Sequence, residues 1–167
     1  AITQASTLTW NWKTQYQLTT AVSPSGTGSV TPANGTWIDA GTVQSVEASN
    51  NAGWQFGSWS GALSGSTNPQ NLTMNSAKSV TANFNPQLTI ASAYGSPSPS
   101  VGTTYPAFNS TVNASVTSPV SGGAGIRYVC TGYTGTGSAP TGTGTSCSFA
   151  ITQASTLTWN WKTQYQL

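Results

Sequence analysis

Ala150-Ile-Thr-Gln-Ala-Ser-Thr-Leu-Thr-Trp-Asn-Trp-Lys-Thr-Gln-Tyr-Gln-Leu167 closes the chain, and the same 18 residues open it as Ala1–Leu18. Duplicated segments drift apart, so an identity of this length marks one period of a tandem array. The offset of 149 residues is that period, and the opening copy reads as the tail of a preceding repeat. Within the stretch, Thr7-Leu8-Thr9-Trp10-Asn11-Trp12 alternates polar and large apolar residues. That period of two predicts a half-buried strand with Leu8, Trp10 and Trp12 on one face, and Leu157, Trp159 and Trp161 in the second copy.

The same alternation recurs along the whole chain, interrupted by turn residues. Pro24 with Ser25–Gly28, then Pro32 with Asn34-Gly35, then Asn50–Gly53 punctuate short runs rich in Thr and Val. Trp54, Phe56 and Trp59 lie in an aromatic-glycine segment, and Leu72, Met74, Val80, Ala82 and Phe84 continue the pattern up to Pro86. A second series follows. Phe149 and Ile151 repeat Leu72 and Met74 at an offset of 77, and Leu157, Trp159 and Trp161 repeat Val80, Ala82 and Phe84 at the same offset. The Gly125–Gly135 segment echoes the aromatic-glycine segment with two extra residues. The expectation is a mainly β chain. Residues 1–14 form a last strand from a preceding repeat, residues 15–86 one small domain, and residues 87–167 a second domain of related plan.

Composition narrows the function classes. Only 4% of the residues are charged, against about 25% in ordinary soluble proteins. Lys13, Lys78, Arg127 and Lys162 face only Asp39 and Glu47, so there is no basic patch for phosphates and no nucleic-acid partner is expected. No apolar run approaches the roughly 18 residues of a membrane helix, so no membrane insertion is expected of this segment. Histidine is absent, which removes the commonest general base and the Ser-His and Cys-His pairs. Asp39 and Glu47 are the only raw material for a carboxylate pair and read as solvated surface groups. The expectation is a non-enzyme with no catalytic residues, no cofactor and no metal site.

Cys130 and Cys147 flank 16 residues rich in Gly and Thr. Without histidine a zinc site lacks ligands. The pair therefore reads as a disulfide, with two unpaired thiols as the alternative. Closing such a loop is worth about 3 kcal/mol in the chain-entropy model, and the bond would place the protein outside a reducing compartment. The seven tryptophans divide in two. Those on alternating positions read as core. Trp37 and Trp59, in loop-like segments, are the candidates for an exposed glycan-stacking platform. Asn34, Asn71, Asn109 and Asn113 head N-glycosylation triplets, which arise readily by chance in a chain rich in Asn and Thr.

Residues 15–86 resemble the divergent InlB B-repeat family of bacterial surface proteins. The likeness rests on Leu18-Thr19-Thr20-Ala21-Val22, on Gly26–Pro32, on Gly41-Thr42-Val43, on Ala52–Gly61 and on Lys78–Phe84. Residues 87–164 look like a remote member that carries Cys130 in the aromatic-glycine segment and ends in Trp159-Asn160-Trp161. The resemblance implies β-grasp-like modules in a rod-like array, an extracellular or cell-surface location, and a spacer role in an adhesin, stalk or fibre. The partners expected are neighbouring copies of the repeat, with surface glycans, through Trp37 or Trp59, as the alternative. Residues 1–13, identical to a strand of the second domain, leave two readings: one covalent array, which is the favoured one, or strand exchange between chains through Leu8, Trp10, Trp12, Leu157, Trp159 and Trp161.

Overall fold

The computed structural model describes Ala1 and residues 3–166, and among these every regular element is a β-strand. Strands β1 (Gln15–Ser23), β3 (Thr36–Asp39), β5 (Trp54–Gly61) and β7 (Lys78–Pro86) form a mixed sheet in the order β3-β1-β7-β5. Strands β2 (Gly28–Thr31), β4 (Val43–Asn50) and β6 (Gln70–Thr73) form a second sheet in the order β2-β4-β6. Between the two sheets lies a core that includes Leu18, Val46, Leu72, Met74, Val80, Ala82 and Phe84, all buried. Alternation places them there: in β7, Val80, Ala82, Phe84 and Pro86 point inward while the residues between them lie nearer the surface. Phe84 needs a gap to lie in, and Gly28 supplies it. A Cβ on Gly28 would sit 2.5 Å from Phe84 Cζ and 2.4 Å from the Ser49 carbonyl oxygen.

Residues 88–165 repeat this plan. Strands β8 (Leu88–Ser92), β9 (Gly102–Thr104), β11 (Val120–Ser121), β12 (Ile126–Thr136) and β14 (Ser155–Tyr165) form a sheet in the order β11-β12-β14-β8-β9. Strands β10 (Thr111–Ser115) and β13 (Ser146–Ala150) cover it. The correspondence covers the central strands, while β11 is an addition and β2 has no counterpart strand among the described residues. In each half the first long strand runs parallel to the last, with Thr20 opposite Val80 and Ile90 opposite Leu157. In each half an antiparallel partner of the last strand carries one irregularity, between Phe56 and Ser58 and between Cys130 and Gly132. The turn before the covering sheet puts Gly41 at φ +83° in one half and Asn109 at φ +61° in the other. Gly and Asn are the residues that tolerate this left-handed backbone best.

Two expectations from the sequence are corrected here. Residues 3–13 form no strand, and Leu8, Trp10 and Trp12 are 77, 74 and 91% exposed. The identical residues in β14 are buried, with Leu157 at 0% and Trp159 at 2%. The alternation is the same in both copies, but a strand exists only where neighbours take its peptide groups. β14 has β12 on one edge and β8 on the other, and residues 3–13 have no neighbour on either edge. The second correction concerns the cysteines, which are both free thiols. Cys130 lies on β12 and Cys147 on β13, in different sheets that face each other across the second core. Cys130 Sγ donates to the carbonyls of Gly132 (3.4 Å) and Gly144 (3.6 Å) within the second core, and the partly buried Cys147 packs against that core. Two free thiols carry no indication of an oxidising compartment.

Candidate interaction site at the strand junction

β7 ends at Pro86 and β8 begins at Leu88, so Gln87 alone separates the two halves. Its peptide is held on both sides of the boundary. The Gln87 N–H donates to the Gly53 carbonyl of the first half at 2.9 Å, and the Gln87 carbonyl accepts from the Ser155 N–H of the second at 2.8 Å. Gly53 sits at φ +80°, and a Cβ there would lie 2.9 Å from the Ala154 Cβ. Around this point the Trp54 ring leans on Phe108 with centroids 6.3 Å apart. The Phe108 N–H donates to Asn85 Oδ1 at 3.4 Å. Strand-to-strand passage through one clamped residue leaves no flexible linker.

The two ends of the chain show the same arrangement. At the far end, the Gln166 N–H donates to the carbonyl of Gly125 at 2.8 Å, as Gln87 does to Gly53. At the near end, the tail that opens the chain docks on the first half. The Thr14 carbonyl accepts from the Ala40 N–H at 3.0 Å, and β1 pairs with β3 from Gln15 opposite Asp39 to Leu18 opposite Thr36. Asp39 is the electrostatic focus of this contact. Lys13 Nζ lies 2.7 Å from Asp39 Oδ2, and Gln15 Nε2 donates to Asp39 Oδ1 at 2.8 Å. The bond from Lys13, then that from Gln15, holds the Asp39 carboxyl below the ordinary carboxylate range.

A depressed pKa means the contact contributes while Asp39 is ionised and is lost as pH falls through the lowered value. Asp39→Asn is therefore expected to flatten the acid limb of the thermal midpoint against pH. The effect should be small and should fade in high salt, since the pair is solvent-exposed. A pH series of melting curves for both proteins checks it.

The other candidate residues separate. Glu47 is opposite Thr31 in the covering sheet, whereas Asp39 ends β3 in the other, so the two acids form no site. Trp59 is corrected from an exposed to a buried ring: it is 3% exposed, and its Nε1 donates to the Thr67 carbonyl at 2.9 Å. Trp37 stays 61% exposed on β3. Trp161 is half-buried, donates from Nε1 to Ser92 Oγ at 3.0 Å, and meets Tyr94 edge-on. Leu157, Trp159 and Trp161 thus all serve their own half. The sequence showed a strand-to-strand passage at Phe84–Ile90 without a linker, but not the contacts of Gly53, Gln87, Asp39, Gly125 and Gln166, because isolated polar residues and glycines carry no periodic signal.

No curated protein and no solved structure matched the chain. A family model did match, that of the divergent InlB B-repeat domain, over residues 18–88. This span starts on the first buried residue of β1 and ends at the start of β8. The likeness to the divergent InlB B-repeat domain thus covers the first half of the chain.

Proposed function

We propose that this chain is a non-enzymatic segment of an extracellular bacterial surface stalk, adhesin or fibre, working as a rigid spacer among neighbouring copies of the same repeat. The observation that carries the reading is Gln87, one residue hydrogen-bonded into both halves, which joins β7 to β8 as nearly continuous strand. The family match over residues 18–88 supports the surface assignment. The parallel pairing of first and last strands at the centre of each mixed sheet supports a β-grasp-like description of both halves. Stability in such arrays sums domain terms and neighbour interfaces.

Covalent continuation is the better reading of the identical ends. The place between β12 and β8 that residues 1–13 of another chain would enter is already filled by β14 of the same chain. Light scattering with electron microscopy on the chain with and without residues 1–13 tests this. Elongated monomers in both samples are expected, and filaments that vanish on deletion would establish strand exchange instead.

Exposed Trp37 is the observation that favours a second reading, a carbohydrate-binding module. Among the described residues no other ring stacks on it. Trp37→Ala is expected to leave glycan-array binding at background, as in the parent chain. Binding that the substitution removes would revive the platform.

A further inference from the structure

The far end of the second half carries an open cleft of about 740 Å³ lined by Gly123, Gly125, Ile126, Arg127, Gln164 and Tyr165. We propose that this cleft is the seat of the first domain of a second copy of this chain, locked by a cross-strand row in which Gln164 bridges Arg127 of one copy to Asp39 of the next. The inference rests on the tandem-array reading and goes beyond it by naming the contacts.

Because residues 150–167 and 1–18 are identical, Lys162, Thr163, Gln164, Tyr165 and Gln166 have the same side chains as Lys13, Thr14, Gln15, Tyr16 and Gln17. Each copy displays half of one environment. In β14, Gln164 lies opposite Arg127, and its Oε1 accepts from Arg127 Nε at 2.8 Å. In β1, Gln15 lies opposite Asp39, and its Nε2 donates to Asp39 Oδ1. An amide has one acceptor oxygen and one donor nitrogen, so a single glutamine satisfies both partners at once. Directly opposed residues on neighbouring strands share a face of the sheet, so Arg127, Gln164 and Asp39 of the next copy form one row. Lys162 then takes the position of Lys13 beside the same Asp39 carboxylate.

Strand edges permit the overlap. The Gln166 N–H is committed to Gly125 on the β12 edge, as expected when Ile126 and Tyr165 are a non-hydrogen-bonded pair. The Tyr165 peptide therefore faces the opposite edge, which is the edge β3 of the next copy would take, as β3 takes Tyr16 here. The opposite face gains as well. Tyr165 is 73% exposed, whereas Tyr16 packs against the first core, so docking covers an exposed ring with Ile38 and its neighbours. The seat of Ala154 at Gly53 has its counterpart at Gly125, where nothing among the described residues lies within 4 Å of an added Cβ.

The test uses a tandem chain in which residues 19–167 follow residue 167, with nuclear magnetic resonance of the Arg127 Nε–H in the first copy. Asp39→Asn placed only in the second copy is expected to shift that resonance, and Asp39→Asn placed only in the first copy to leave it unchanged. Arg127→Gln in the first copy and Asp39→Asn in the second should be non-additive in unfolding, with a coupling of about two- to fivefold in the unfolding constant. A tandem that scatters as a rod but shows neither the shift nor the coupling overturns the Gln164 bridge and leaves the spacer reading standing. A tandem that scatters as two freely reorienting bodies overturns the spacer reading, and the seat with it.

Discussion

Replacing Trp159 by Ala is expected to destabilise the second half by about 3–5 kcal/mol, while Trp10→Ala should change stability by less than about 0.5 kcal/mol. The two residues occupy the same position in an identical 18-residue sequence, so local propensity is held constant and only tertiary surroundings differ. Trp159 is 2% exposed and meets Tyr133 edge-on at 5.4 Å, within a core that includes Leu88, Ile90 and Leu157. Truncating it removes a large buried area and leaves a cavity between sheets that cannot close without moving β8 or β12. Trp10 is 74% exposed and loses only contact with water. Trp159→Phe should cost much less than Trp159→Ala. The buried Nε1 has no hydrogen-bond partner among the described residues, so Phe forfeits no bond there. Denaturant unfolding followed by circular dichroism measures all three. Equal effects at positions 10 and 159 would contradict the assignment of β14.

The second large effect is expected at Phe84→Ala, again about 3–5 kcal/mol, now in the first half. Phe84 is 1% exposed and stands edge-on to Phe56 at 6.0 Å. It fills the gap that Gly28 leaves between the sheets, so the same site can be damaged from the other side. Gly28→Val should also be strongly destabilising, because the added Cβ meets the Ser49 carbonyl, backbone that can move only if β2 separates from β4. Calorimetry is expected to show both changes lowering the melting of the first half, with Trp159→Ala lowering that of the second.

These outcomes bear on how the sequence encodes the fold. Alternation of Val80, Ala82 and Phe84, and of Leu157, Trp159 and Trp161, was legible because a two-residue period has one structural meaning when turns bound it. The offset of 77 between the halves was legible for the same reason, and the two extra residues noted in the second aromatic-glycine segment lie within Ile126–Gly135, which pairs with Tyr165–Leu157 as Trp54–Gly61 pairs with Pro86–Val80. The same rule misled at Leu8, Trp10 and Trp12, since alternation states which face could be buried and says nothing about whether a neighbour is there. Trp59 looked exposed because its segment read as loop-like, yet it lies on β5, buried, beside the irregularity in the β5–β7 pairing. The cysteine pair looked like a bridge from composition and the absence of histidine, neither of which reports side-chain direction. Asp39 and Gln15 become partners only through the register of β1 on β3, a long-range fact with no local signature.

The rigidity of a spacer depends on the junction at Gln87. Residual dipolar couplings measured on the chain, fitted separately for residues 15–86 and 88–165, test it most directly. One alignment tensor, common to both halves in magnitude and orientation, is the predicted result. Two tensors of different magnitude would mean that the halves reorient independently, and that the clamped peptide does not make a spacer.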